Sequence, residues 1–174
     1  MRTLVTAFGL LPALALAAGC FSAELDAPDV CVGGLAVPFP ANSFDAATDE
    51  TISADDLGVP DSDQLDLRVE VRSLAVAPLV GVTDLDFVSA LSVHAAAADP
   101  ASALPEMPII DMDAADMQDD GTLFAETPDP VDITDYLLAG DVRFIVNAAG
   151  EEPEMDWAAA MELCVHANAH YEKP

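Results

Sequence analysis

The most regular stretch of the chain is residues 65–72, Leu-Asp-Leu-Arg-Val-Glu-Val-Arg, where apolar and charged side chains alternate without a break. Period-two alternation sets one face of a strand against a core and the other in water. Asp66, Arg68, Glu70 and Arg72 then share the outer face with opposite signs adjacent, which reads as local ion pairs worth at most about 1 kcal/mol each. Residues 87–97 repeat the pattern, with Phe87, Leu91, Val93 and Ala95 on one parity. The apolar run at residues 30–39 contains Gly33-Gly34 and ends at Pro38 and Pro40. Proline cannot donate to a ladder, so this run is predicted as an edge strand. Shorter strands are predicted at 109–112, 122–126 and 132–138, and a better one at 142–148 after the turn signal Ala139-Gly140-Asp141. Residues 42–64, 78–86, 99–108 and 113–121 are rich in acids, proline or glycine and read as loops and turns.

The last periodic segment, residues 156–171, fits two templates. A strand places Trp157, Met161, Leu163, Val165, Ala167, Ala169 and Tyr171 on one face, with Glu162, Cys164, His166, Asn168 and His170 on the other. A helix gives a stripe of Trp157, Ala160, Met161, Cys164, Val165 and Asn168, and its alanines favour that choice. Strand is the preferred reading, because the other periodic segments are short runs separated by turn signals. The fold class expected is all-β, a single antiparallel β-sandwich of jelly-roll or immunoglobulin-like type with its termini close together. Residues 132–137, a turn, and then 142–146 resemble strands of jelly-roll modules.

The chain starts with Arg2 and then an apolar run over residues 4–18, the layout of an export signal. At about 15 residues the run is shorter than the roughly 20 that a membrane-spanning helix needs. It ends Leu16-Ala17-Ala18-Gly19-Cys20, which resembles the lipobox of bacterial lipoproteins, with Ala17 where that family usually carries Leu. The resemblance implies cleavage before Cys20, lipidation of Cys20 and anchoring in a lipid bilayer by acyl chains, each buried CH₂ contributing about 0.8 kcal/mol. Ala15-Leu16-Ala17 is also a site for ordinary signal peptidase, which would give a secreted soluble protein instead. The expected organisation is a leader over 1–19, a tether over 20–29 and a domain over 30–174, located outside the cytoplasm at an outer membrane or cell surface.

Charge restricts the partners. Arg2 is the one charge in residues 1–19, so the 155 residues that follow carry 4 basic against 32 acidic side chains, a net of −28. Such a surface repels nucleic-acid phosphates and anionic headgroups, so no nucleic-acid partner is expected. High net charge favours disorder, but 52% hydrophobic residues favour a folded domain with acidic loops. Abundant Asp, Ala and Val with almost no Lys resemble proteins of halophilic or marine bacteria, whose carboxylates keep the surface hydrated. With Cys20 lipidated, Cys31 and Cys164 are left to form a disulfide in an oxidising compartment. The bridge would close a loop of about 130 residues, for which chain entropy allows roughly 4 to 5 kcal/mol of stabilisation.

Two metal sites are candidates. Asp111, Asp113 and Asp116, followed by Asp119, Asp120 and Gly121, gather hard oxygen ligands suited to calcium. The spacing is not that of an EF-hand, since counting from Asp111 the fifth position is Ala115 and the twelfth Thr122. Cys164, His166 and His170 are ligand types for zinc or copper. On a strand the two histidines would stand about 13 Å apart, too far to share an ion, whereas on a helix they would be neighbours at about 6 Å. No Gly-x-Ser-x-Gly elbow, His-Glu-x-x-His motif or glycine-rich phosphate loop occurs, and His94 with Ser89 and Ser92 nearby is a chance grouping in so acidic a chain. A single Trp and 6% aromatic residues argue against a sugar-stacking cleft. The function expected is a non-enzymatic envelope or surface lipoprotein, a structural module or one that binds an envelope protein, with no cofactor. The alternatives are a calcium- or metal-binding lipoprotein and an accessory domain of a secreted hydrolase.

Overall fold

The computed structural model describes residues 22–26, 28–48, 50–58 and 65–172, and these are almost entirely β. The leader expected over residues 1–19 and Cys20 lie outside the described residues. In chain order the strands are β1 (Ser22–Asp26), β2 (Val30–Phe39), β3 (Asp45–Ala47), β4 (Leu65–Val80), β5 (Val88–Ala97), β6 (Met107–Asp113), β7 (Leu123–Asp132), β8 (Val142–Gly150) and β9 (Trp157–Glu172). They form two antiparallel sheets. One runs β2-β9-β4-β7, with β1 continuing alongside β9 beyond the end of β2, and the other runs β3-β8-β5-β6. The first half of the chain pairs with the second in reverse, β2 with β9, β3 with β8, β4 with β7 and β5 with β6. That is the strand order of an eight-stranded jelly roll rather than of an immunoglobulin sandwich.

Alternation of side chains supplies the core. Val69, Val71, Leu74 and Val76 of β4 and Trp157, Ala159, Met161, Leu163 and Val165 of β9 are buried from one side. Leu91, Val93 and Ala95 of β5 and Val142, Phe144 and Val146 of β8 meet them from the other. The strand reading of the last segment is the observed one, and over residues 157–168 its two predicted faces are the buried and outer faces of β9. Trp157 stacks on Phe39 with centroids 4.0 Å apart and meets Phe87 edge-on at 5.1 Å, closing one end of the sandwich with aromatic area.

Bulges decide where the pattern in the sequence breaks. In β4 the register shifts between Val71 and Ser73 against both neighbours, so the buried parity passes from odd residues to even ones. The alternation ends at Arg72 for that reason, although the strand continues to Val80 through the expected turn at Pro78. In β2 the shift falls at Gly33-Gly34, and Gly34 takes φ +82, a left-handed conformation that glycine adopts without strain. Prolines sit in three strands at sheet edges, Pro38 in β2, Pro108 in β6 and Pro128 and Pro130 in β7, while β3 has only three residues. Edges lacking amide donors resist pairing with other chains.

Three expectations are corrected. Within the tether expected over 20–29, Ser22–Asp26 forms a strand that pairs with β9 from Glu172 to Asn168. The loop over 42–64 holds β3, which pairs with β8. The strand expected over 132–138 is instead the end of β7 followed by one helical turn, α1 (Thr134–Leu138). Asp132 Oδ1 accepts from the Thr134 backbone N–H at 3.0 Å and turns the chain, and Ile133, Tyr136 and Leu137 bury at the i, i+3, i+4 spacing of a helix.

Tyr136 seats that turn, donating its hydroxyl to the Pro105 carbonyl at 2.6 Å. Burial, with a smaller contribution from the Asp135 charge, raises the phenol above its ordinary value of 10.0. The fold therefore favours the neutral phenol, and the stability this confers is complete below about pH 10 and lost as pH rises through the raised folded value. Urea unfolding should show the midpoint falling above pH 10, and falling less steeply in Tyr136→Phe. At neutral pH that variant should cost about 1 kcal/mol for the lost hydrogen bond.

Candidate functional site

The groups with the most chemistry sit on the outer face of the β2-β9-β4-β7 sheet. Along β9 the outward residues are Glu162, Cys164, His166 and Asn168. On one side β2 brings Cys31 directly opposite Cys164, and the two form a disulfide. On the other side β4 brings Ser73 opposite Cys164 and Glu70 opposite His166. Both cysteines point outward, away from the core, and Cys31 is exposed.

Glu70 is the most buried carboxylate of this face, with a side chain 11% exposed. Arg68 Nη2 reaches its Oε1 at 3.0 Å and Arg72 Nη2 its Oε2 at 2.9 Å. Arg68 Nε also reaches Asp132 Oδ2 at 3.2 Å. The other oxygen of Asp132 accepts from the Thr134 hydroxyl, and the Thr134 hydroxyl oxygen accepts in turn from the Val69 backbone N–H at 2.8 Å. One connected network thus ties β4 to β7 and to α1. The alternation of residues 65–72 exposed the Arg-Glu-Arg triplet, but Asp132 and Thr134 are more than 60 residues away in the chain. Only the pairing of β4 with β7 brings them in.

His166 does not serve as a free ligand. Its Nδ1 lies 2.9 Å from Asp29 Oδ1 and its Nε2 lies 3.1 Å from Asn168 Oδ1, so both ring nitrogens face acceptors on this surface. His170 lies four residues further along the same strand, which removes the helical spacing that would let the pair share an ion. The side chain of His170 lies outside the described residues. The zinc or copper grouping of Cys164, His166 and His170 is therefore not assembled: Cys164 is in a disulfide and the histidines are a strand's length of four residues apart.

Three of the calcium candidates bond local backbone. Asp113 Oδ1 accepts from the Ala115 N–H at 2.7 Å, and Asp116 Oδ2 accepts from the Asp113 N–H at 2.9 Å. These reciprocal bonds cap the 3-10 turn Ala114–Asp116. Asp111 stands on β6 opposite Ser92, exposed. Asp120 accepts from the Thr122 N–H at 3.1 Å within its own turn. Short polar side chains bond nearby backbone in such turns, as Asp113, Asp116 and Asp120 do, and among the described residues these acids form no group of three converging donors. Among the described residues the grouping of metal-ligand types whose donor atoms lie within 4.8 Å of one another is Cys31, Glu162 and Cys164. Glu162 stood on the predicted polar face, but nothing in the sequence tied it to Cys31.

His94 lies on the outer side of β5, between the buried Val93 and Ala95, and Ser89 donates its hydroxyl to the Ala149 carbonyl at 3.1 Å. These two do not form a nucleophile and base pair. Surface hollows are shallow and open: one of about 450 Å³ between Asn42, Asp45 and Glu152, and one of about 300 Å³ between β6 and β7. No family model and no curated protein matches this chain significantly.

Because Arg68 and Arg72 keep 60% and 38% of their side chains in water, removing their shared partner should have a moderate cost. Glu70→Gln should lower the unfolding free energy by about 1–2 kcal/mol, more at low salt than at high. Glu154→Gln, in the exposed loop before β9, should change it by less than about 0.5 kcal/mol. Paired urea titrations at two salt concentrations check both outcomes.

Proposed function

We propose that this chain is a bacterial lipoprotein, held to a membrane outside the cytoplasm by acyl chains on Cys20. Its acidic jelly roll serves there as a non-enzymatic structural or partner-binding module of the envelope or cell surface. The observation that carries the reading is the pairing of Cys31 with Cys164. Three cysteines make an odd set, and this bridge leaves Cys20, at the end of the lipobox-like Leu16-Ala17-Ala18-Gly19-Cys20, as the one to be modified. A disulfide between neighbouring strands also suits an oxidising compartment. One further observation supports the reading: Arg68, Glu70, Arg72 and Asp132 on the outer sheet face hold one another in ion pairs.

Metabolic labelling with palmitate in a bacterial host tests the proposal. The full chain should incorporate label and fractionate with membranes, while Cys20→Ser should be unlabelled and leave the membrane fraction. An unlabelled wild-type product recovered in soluble form, starting after Ala17, would move the protein to the secreted class.

A further inference from the structure

The Cys31–Cys164 bridge lies on an exposed face with a third donor beside it. A carboxylate oxygen of Glu162 and the two sulfurs all lie within 4.8 Å of one another. Each donor is fixed by the ladder. Cys31 and Cys164 are direct partners across β2 and β9 with Cα atoms 4.0 Å apart, and Glu162 is the neighbour of Cys164 on the same face of β9. Space for the carboxylate is provided by Gly33, where a Cβ would come within 2.9 Å of Glu162 Oε2. The glycine that shifts the register of β2 also leaves the hollow that Glu162 occupies.

We propose that the reduced form of this cluster is a binding site for a thiophilic divalent cation of the Zn²⁺ class, with Cys31, Cys164 and Glu162 as protein ligands and water in the fourth position. The disulfide and the metal are then alternative closures of one contact between β2 and β9. Geometry permits the exchange. Tetrahedral zinc with bonds of about 2.0–2.3 Å needs donors roughly 3.6–3.8 Å apart, and cysteines on directly facing residues of two paired strands can reach that spacing. Two thiolates select a soft or borderline cation over calcium or magnesium, which prefer oxygen ligands. The large negative charge of the chain raises the local concentration of any cation.

The chemistry is thiol exchange followed by coordination. A dithiol reductant transfers two electrons and two protons to the bridge, becoming a disulfide itself and leaving two cysteine thiols. The cation then displaces both thiol protons to solvent and binds two thiolates and the carboxylate. The exposure of Cys31 gives reductant and cation a route from solvent.

The test uses the purified full chain carrying Cys20→Ser, which removes the third thiol, oxidised or reduced with a phosphine, and Co²⁺ as the spectroscopic probe. Reduced protein should develop a thiolate-to-Co²⁺ charge-transfer band that saturates at one equivalent and is bleached by Zn²⁺. The oxidised protein and reduced Cys164→Ser should show no such band. Glu162→Gln should keep the β-sheet circular dichroism and weaken Co²⁺ binding about tenfold. No band in the reduced chain overturns the proposal, whether or not its β spectrum survives reduction. Equal affinity in Glu162→Gln and wild type overturns the assignment of Glu162 and with it the three-ligand site.

Discussion

Strand β9 is paired along both of its sides, with β4 over nearly its whole length and with β2 and then β1 on the other, and the jelly roll depends on that double ladder. It joins the last strand of the chain to the first. With β9 in place, its inward residues from Trp157 to Val165 form a floor on which the inward residues of β5 and β8 pack. The disulfide crosses this ladder where β2 meets β9, linking residues 133 apart in sequence. Nearly all the pairings of a jelly roll are non-local, so the chain must close long loops before contacts reward it. A covalent link between β2 and β9, near the two ends of the domain, reduces the entropy of the open chain where that cost is greatest.

The acidic surface is compatible with this core because charge and burial are kept on opposite faces of each strand. Where a carboxylate is drawn inward, as Glu70 is, two of the few arginines meet it. Several other acids serve backbone. Asp56 accepts from both the hydroxyl and the N–H of Ser53, which holds its carboxyl below the usual value, and Asp99, Asp113 and Asp120 accept from N–H groups two residues on. A surface of this kind needs counterions more than it needs partners of opposite charge. Its proline-bearing edges and like charges act together against edge-to-edge association.

What the sequence revealed follows from range. Local alternation identified the strands at 65–72, 87–97 and 142–148 and both faces of β9, because each pattern is written within one strand. Bulges hid the rest: the shift at Arg72 made a sixteen-residue strand look half as long, and Gly33-Gly34 hid the change of face in β2. The strand misread over 132–138 contained its own correction in the i, i+3, i+4 spacing of Ile133, Tyr136 and Leu137. The cysteine pairing was legible from the count and the lipobox-like motif. The Glu70 network and the place of Glu162 were not, since each joins residues that only the strand order brings together.

The jelly-roll core and the proposed cation site both rest on β9 being firmly held by the strands on either side. Native-state amide hydrogen exchange tests this most directly. The amides of Met161, Leu163 and Val165 should exchange only through global unfolding, with the free energy found in urea, while those of β3 and β6 at the edges of the other sheet open sooner. Exchange of the β9 amides at lower free energy than those of β5 and β8 would contradict it, because the ladder would then open while the rest of the sandwich stays folded.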